Sequence, residues 1–284
     1  MLLHFYIFCL SLLLLMLGLA SLQKKQETII RILTLLGILQ VICLVIWQGT
    51  LAFTLLITGL LALSLYELSA HYQTNRILFG LGSMIFFVVS LYHNDLPVIK
   101  LALIWFTIIS ILTFIGRQET IKSPSYLFTF SSCFLIPCSI FLIELMKINS
   151  STIIMILLLL QLNDSFGYLF GKQLGKTPLF QTISPNKTLE GYLCGSIGII
   201  LGILLLHTYI PILSAEPFYK DIIIFLCILI FGNLGDLLLS SFKRKLEIKD
   251  FSNILPGHGG ILDRFDNFFF VAPIFYMLFS YHLI

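Results

Sequence analysis

The sequence contains few charged side chains for its length. Only 11% of its 284 residues are Asp, Glu, Lys or Arg, whereas 58% are hydrophobic. A soluble globular domain usually carries about 25% charged residues, because its surface must remain hydrated. This deficit excludes an ordinary soluble protein and indicates a chain that lies largely within a lipid bilayer.

Cysteine motifs and internal repeats are also missing. The six cysteines lie within apolar stretches and show no CxxC spacing, which argues against a zinc site or a disulfide framework. No repeat and no polar linker divides the chain. The sequence has instead a series of hydrophobic runs, most of them close to the roughly 20 residues that cross a bilayer as a helix.

These runs predict an all-α, polytopic integral membrane protein with about ten transmembrane helices. Their approximate bounds are 3–22, 29–47, 51–66, 77–92, 98–116, 126–146, 151–171, 191–212, 221–241 and 266–283. Fourteen of the 17 Lys and Arg residues fall at the odd-numbered loops. Because positive residues in short loops stay in the cytoplasm, this bias predicts that both termini lie outside the cell.

The distribution of polar residues divides the chain into two predicted regions. Residues 1–125 form N-terminal transmembrane helices with sparse polar features. Among these, Glu67 is either a functional group or a side chain at the membrane interface. Residues 126–284 form a C-terminal catalytic transmembrane region with three polar segments, at 161–191, 231–244 and 243–266.

Four aspartates are predicted to meet just below the cytoplasmic surface. Asp164 and Asp236 lie about 10–12 Å beneath it, counted at the helical rise per residue. Asp263 and Asp266 open the last span, and their spacing places them on one helix face. Because carboxylates within a membrane need compensating cations, this arrangement predicts either a salt-bridge network or a metal site.

Glycine-rich and basic segments beside these aspartates indicate phosphate binding. The loop PGHGG (256–260) can present backbone N–H groups to an anion. The segment SPNKT (184–188) adds Lys187 and the N-terminus of the next helix, capped by Ser184 or Thr188. Mg²⁺ prefers carboxylate oxygens and substrate phosphates. We therefore expect a metal-dependent enzyme that acts on phosphate esters.

The charged segment near the C-terminus closely resembles the signature of one enzyme family. The matching residues are Ser240, Lys243, Arg244, Lys249, Asp250, Pro256, His258, Gly259, Gly260, Asp263, Arg264 and Asp266. This segment is similar to that of the phosphatidate cytidylyltransferases, or CDP-diacylglycerol synthases. The resemblance extends back to Asp164, whereas the N-terminal half matches by hydropathy alone.

The resemblance implies an enzyme that uses CTP and one or two Mg²⁺ ions to convert phosphatidic acid into CDP-diacylglycerol and pyrophosphate. The implied catalytic residues are Asp236, Asp263, Lys187, Lys243 and Arg264. The implied metal ligands are Asp236 and Asp263, with Asp164 and Asp266 as additional carboxylates. The residues implied to bind nucleotide or lipid phosphate are Ser184, Asn186, Lys187, Ser240, Arg244, Lys249, Asp250, His258, Gly259 and Gly260.

Two positions depart from the family pattern, and separately from them other functions stay open; only the inactive relative is suggested by a departure, that at Leu239. Leu239 stands where many bacterial members carry Glu, and Ser252 stands where Gly is common. The alternatives are a CTP-dependent lipid kinase, a cytidylyltransferase for another lipid phosphate, and an inactive relative. A transporter with Asp164 and Asp236 as its ion site ranks below these, since the polar residues cluster at one end of the spans.

The predicted setting is the plasma membrane of a bacterium, with the active site facing the cytoplasm. Membrane lipids surround the chain, CTP arrives from water and phosphatidic acid arrives from the bilayer. We expect no nucleic-acid partner. The sequence leaves open whether the chain forms a homodimer.

Overall fold

The computed structural model describes residues 37, 40–92, 96–209, 217–252, 254 and 259–284, and these are mostly helical. Residues 40–48 are helical. The elements that follow are α1 (Thr50–Ser69), α2 (Arg76–Tyr92), α3 (Leu96–Ile115), α4 (Gln118–Ile121), α5 (Pro124–Phe130), a π-helical turn (Ser131–Leu135), α6 (Ile136–Ile148), α7 (Ser150–Leu174), β1 (Pro178–Phe180), β2 (Ser184–Thr188), α8 (Leu189–Tyr209), α9 (Phe218–Cys227), a second π-helical turn (Ile228–Gly232), α10 (Asn233–Lys245) and α11 (Leu262–Ser280).

Eight of the ten predicted spans coincide with helices. The span predicted at 3–22 lies outside the described residues, and the span at 29–47 is described only at residue 37 and from residue 40 onward. Within the described part, five helical stretches are long and apolar enough to cross a membrane: Thr50–Ser69, Pro124–Ile148, Ser150–Leu174, Leu189–His207 and Phe218–Lys245. A helical membrane protein is therefore confirmed. The count of ten spans, the outside location of both termini and the division near residue 125 stay predictions.

The helical stretch that leads into α10 contains a π-helical turn. A π-helical turn holds one more residue than an α-helical turn, so it changes the face on which the following residues lie. It also leaves a backbone carbonyl without its usual partner. Here the Leu229 carbonyl accepts hydrogen bonds from Asn233 Nδ2 at 2.7 Å and from the Tyr192 hydroxyl at 2.9 Å. The turn is thus stabilised just before Asp236, and it sets the direction of that side chain.

Helices α7 and α8 lie unusually close together because glycines line their contact. A Cβ atom added at Gly198 would lie 2.8 Å from the Leu162 carbonyl oxygen. One added at Gly171 would lie 3.1 Å from the Cα atom of Gly191. Small residues allow such close backbone approach between membrane helices, where packing drives association in place of the hydrophobic effect.

A two-stranded antiparallel hairpin, formed by β1 and β2, joins α7 to α8. The sequence patterns did not predict it. Two side chains near the start of α8 hold the hairpin in place. Thr188 Oγ1 accepts a hydrogen bond of 3.2 Å from Gly191 N. The Glu190 carboxylate accepts from the backbone N–H groups of Lys176 and Thr177, at 3.0 and 3.1 Å. Strand β2 is thereby held at the end of α7.

Adding one methyl group at the glycine contact between α7 and α8 should destabilise the protein, whereas adding one at a glycine that faces open space should not. Gly198→Ala should lower the stability of the folded protein by about 1–3 kcal/mol, because the new Cβ meets a backbone oxygen that cannot rotate away. The matched control is Gly59→Ala in α1, where a Cβ meets nothing within 4 Å. Thermal unfolding in one detergent should show a lower midpoint for the first variant only. Equal midpoints would contradict this view of the helix contact.

Candidate active site

Six charged side chains from different parts of the chain form one group, called here the polar cluster. They are Asp164 of α7, Lys187 of β2, Asp236 and Lys243 of α10, and Asp263 and Asp266 of α11. Close ion pairs and electrostatic interactions connect every member to at least one other. The structure therefore brings together the four aspartates that the sequence placed near one level.

Lys187 and Asp236 form the first ion pair of the cluster. Lys187 Nζ lies 2.5 Å from Asp236 Oδ2, and the Ser240 hydroxyl, one turn further along α10, donates to Asp236 Oδ1 at 3.1 Å. Burial alone would lower the pKa of Lys187. The carboxylates of Asp236, Asp164 and Asp266 outweigh that effect and raise the pKa above its ordinary value. Lys187 is therefore a firmly protonated cation that faces three aspartates.

Lys243 and Asp263 form the second ion pair, which is more deeply enclosed. Lys243 Nζ lies 2.6 Å from Asp263 Oδ1, and the two side chains are only 12% and 4% exposed. The other carboxylate oxygen accepts hydrogen bonds from the backbone N–H groups of Phe251 and Gly260, at 2.8 and 2.9 Å. The carboxylate of Asp263 thus links α10, the segment after α10 and the start of α11.

The remaining two aspartates are connected through Asn267, a residue that the sequence analysis missed. Asn267 Nδ2 donates to Asp164 Oδ2 at 3.1 Å, and Asn267 N donates to Asp266 Oδ1 at 2.8 Å. Asp266 is 6% exposed. The side-chain oxygen of Asn267 is buried and has no hydrogen-bond partner. An oxygen in that state beside carboxylates is a candidate ligand for a cation.

The glycine-rich loop is described from Gly259 onward. The predicted nucleotide-binding residue His258 lies outside the described residues, as do Pro256 and Gly257. Gly259 has a φ of +81°, a conformation that favours glycine. The backbone N–H of Gly260 already donates to Asp263 Oδ2. This N–H group stabilises the aspartate. It could bind a phosphate, as predicted, only by giving up its hydrogen bond to Asp263.

The other predicted binding residues lie on β2, at the end of α10, in the segment after it and at the start of α11. Arg244 Nε donates to the Ile183 carbonyl oxygen at 3.3 Å and thereby contacts the turn of the hairpin. Lys249, Asp250 and Arg264 are exposed. Ser184 opens β2 and is not the cap of α8, a role that Thr188 takes. Asn186 lies in β2, but its side chain is outside the described part of the structure.

Glu67 is buried inside the protein, beside Ser252 and residues 260–262. It is 2% exposed, although it belongs to the N-terminal half of the chain. Its carboxylate accepts hydrogen bonds from the Ser252 hydroxyl at 2.6 Å and from the backbone N–H groups of Ile261 and Leu262 at 2.8 and 3.0 Å. The sequence raised Glu67 as an isolated acidic residue in an apolar span but gave no sign of these partners.

The composition of the polar cluster suits a divalent cation, although no finished metal site is present among the residues described. No three His, Cys, Asp or Glu side chains there are arranged to hold a metal. The carboxylates of Asp236 and Asp263 each face a lysine instead. Lys187 and Lys243 pair with two of the four aspartates, and the two remaining carboxyl groups together with the unpaired oxygen of Asn267 are the kind of oxygen ligands that Mg²⁺ takes.

A comparison with known families identifies the chain. The sequence profile described as the cytidylyltransferase family matches residues 29–282, which includes every member of the polar cluster. The chain belongs to the cytidylyltransferase family. The match extends into the N-terminal half, so the family pattern is not confined to the charged segment near the C-terminus.

Individual bacterial relatives carry a more specific name. The chain is 34% identical over 246 residues to a phosphatidate cytidylyltransferase of Bacillus subtilis, covering 81% of this chain and 89% of that protein. It is 42% identical over 121 residues to a phosphatidate cytidylyltransferase of Staphylococcus epidermidis, covering 43% of this chain and 46% of that one. A Staphylococcus saprophyticus protein of the same name is 44% identical over 121 residues, with the same coverage.

Removing the lysine of a buried ion pair should destabilise the protein more than removing the lysine of an exposed pair. Lys243→Met leaves Asp263 buried without its cation and should lower the free energy of unfolding by about 3 kcal/mol. The matched control is Lys122→Met. Lys122 pairs with Glu247 at 3.0 Å, but their side chains are 41% and 69% exposed, so its loss should cost less than about 1 kcal/mol. Unfolding measured in the same detergent compares the two, and equal losses would show that burial does not strengthen the inner pair.

Proposed function

We propose that this chain is a membrane-embedded phosphatidate cytidylyltransferase, which transfers CMP from CTP to phosphatidic acid and releases pyrophosphate. The observation that carries the proposal is the polar cluster, in which two lysines and four aspartates from α7, β2, α10 and α11 meet. The names of the bacterial relatives support it. The same residues supply both cations for phosphates and oxygens for a metal, which is the combination that nucleotidyl transfer requires.

The reaction is an in-line displacement at phosphorus. A phosphatidate oxygen attacks the α-phosphorus of CTP, and a new P–O bond forms. The bond between the α-phosphorus and the oxygen bridging to the β-phosphate breaks, and pyrophosphate leaves with the electron pair. Since the attacking oxygen is already anionic, no general base is needed. The protein must supply positioning and neutralisation of charge.

Lys187 and Lys243 are the groups that supply this positive charge from the protein. Each is held beside an aspartate before substrate binds, so each is charged and oriented in advance. Arg244 and Arg264 add positive charge at the edge of the cluster, where a water-soluble nucleotide arrives. Preorganised cations of this kind lower the barrier because no reorganisation is needed as charge develops.

Mg²⁺, as one or two ions, is proposed to be held by Asp236 and Asp263, with Asp164 and Asp266 as additional carboxylates. When bound, it would neutralise phosphate oxygens and stabilise the leaving pyrophosphate. The surplus of carboxylates over lysines supports this assignment. We place the reaction at the cytoplasmic side of a bacterial plasma membrane, because Lys and Arg concentrate on that side of the predicted spans and CTP is water-soluble.

The deciding experiment supplies the detergent-purified chain with CTP and phosphatidic acid, with and without Mg²⁺. Pyrophosphate release and the mass of the lipid product are both measured. We expect release that needs all three components, and a lipid that gains CMP. Asp236→Asn should abolish turnover in a folded protein, whereas Asp221→Asn, which alters a pair with His207 elsewhere in the chain, should retain it. A lipid that gains only a phosphate would replace the proposal with a CTP-dependent lipid kinase.

Lys187 provides a second prediction, on substrate affinity. Lys187→Ala should raise the KM for CTP or for phosphatidic acid by about tenfold or more, because a charged partner of phosphate is lost. Lys147→Ala is the matched control, since that lysine pairs with Glu144 at 2.7 Å and is 51% exposed. Unchanged KM values for both substrates in Lys187→Ala would reject a phosphate-binding role for Lys187.

A further inference from the structure

Glu67, on α1, accepts three hydrogen bonds from residues 252, 261 and 262, which lie next to the polar cluster. Its carboxylate Oε1 accepts from the Ser252 hydroxyl and from Ile261 N, and Oε2 accepts from Leu262 N. Burying a carboxylate costs several kcal/mol unless donors surround it. The three donors repay that cost, and all come from residues more than 180 positions away along the chain.

Two of these donors belong to the start of α11. Helix α11 begins at Leu262, and the first N–H groups of any helix lack partners within that helix. The Glu67 carboxylate supplies the missing acceptor from α1. A negative charge at this end of a helix is also favoured by the helix dipole. Glu67 therefore fixes the position at which α11 starts, one residue before Asp263.

The two carboxylates of Glu67 and Asp263 hold the same two short segments between them. Asp263 accepts from the backbone N–H groups of Phe251 and Gly260, whereas Glu67 accepts from their neighbours Ser252 and Ile261. The Glu67 carboxylate also packs directly against Gly260. A Cβ atom at Gly260 would lie 2.7 and 2.9 Å from the two oxygens of Glu67, so a larger residue there would displace the carboxylate from its donors.

We propose that Glu67 is a positioning residue for the reaction: it locks residues 251–252 and 260–262 so that the Asp263 carboxylate faces Lys243 in the polar cluster. This inference rests on the proposed function for its catalytic consequence, but not for its structural one. Glu67 lies outside the polar cluster, and its carboxylate oxygens are engaged by Ser252, Ile261 and Leu262. It acts through Asp263, and it makes the N-terminal half of the chain part of the active-site framework.

The charge of Glu67 is needed because both of its oxygens face donors. Gln has the same shape but only one acceptor oxygen, and its amide group would direct hydrogens at a backbone or hydroxyl donor. At least one donor would then be left buried without a partner, at a cost of about 1–3 kcal/mol. The loop would respond by moving, while the rest of the protein would remain folded.

The test compares Glu67→Gln with Glu144→Gln in the full-length protein. Glu144 is also a carboxylate on a membrane helix, but it pairs with Lys147 outside the polar cluster. Hydrogen exchange at the amides of residues 260–262 reports the loop directly, without any need for turnover. Steady-state kinetics with CTP and phosphatidic acid then report the consequence for the reaction.

We expect Glu67→Gln to speed exchange at residues 260–262 by about tenfold or more, with α7 and α8 unchanged. The kcat should fall by about tenfold or more, with a much smaller change in the KM for CTP, because a charge acting in the transition state is misplaced. Glu144→Gln should change neither quantity. Normal exchange and normal kcat in folded Glu67→Gln would overturn the proposal.

Ser252→Ala keeps the proposal testable if Glu67→Gln does not fold. This variant removes one of the three donors and leaves the buried carboxylate with its two backbone partners. It should speed exchange at residues 260–262 and lower kcat by a smaller factor than Glu67→Gln. Unchanged exchange in Ser252→Ala would then overturn the proposal. If wild-type protein shows no turnover, the proposed function fails while the exchange data still decide the role of Glu67.

Discussion

The structure depends on matching every buried carboxylate with a cation or with hydrogen-bond donors. An isolated charge in a low-dielectric interior is too costly to survive, whereas the attraction between opposite charges is strong there. Lys187 meets this need for Asp236, and Lys243 meets it for Asp263. Because the partners come from different elements, each pair also fixes the hairpin or the last helix relative to α10. Charge pairing therefore helps to position β2 and α11 against α10.

The ion pairs Lys187–Asp236 and Lys243–Asp263 stabilise the fold, and the same residues are proposed to take part in the reaction. In the proposed reaction, Lys187 and Lys243 would turn from their aspartates to substrate phosphates, and Asp236 and Asp263 would then hold Mg²⁺, which would supply neutralisation of phosphate charge. The surplus of aspartates over lysines gives the cluster room for a cation. A site with balanced charges would be more stable alone but would gain less from binding Mg²⁺ and a nucleotide together. This view explains why the cluster holds cations and carboxylates in direct contact.

Hydropathy and motif spacing were sufficient to predict much of this arrangement. Runs of apolar residues located eight helices, and the depth of Asp164 and Asp236 below the predicted surface anticipated their place in one cluster. The hairpin was not predictable, since β1 is three residues long and its exposed residues show no alternation. Asn267 was hidden within the start of an apolar span. The pairing of Glu67 with Leu262 joins residues 195 positions apart, and no local pattern encodes such a contact.

The N-terminal helices are connected to the active-site segments by polar contacts as well as by packing. At the end of α1, the His71 ring nitrogen Nε2 donates to the Phe251 carbonyl oxygen at 2.8 Å. At the end of α3, Lys245 Nζ donates to the carbonyl oxygens of Thr113 and Phe114, which lack partners within their helix. His71 and Glu67 thus connect the α1 region to Phe251, Ser252 and the start of α11, and Lys245 connects the end of α10 to α3. The N-terminal half of the chain therefore helps to position residues 251–252 and 260–262, which include the backbone N–H groups that donate to Asp263.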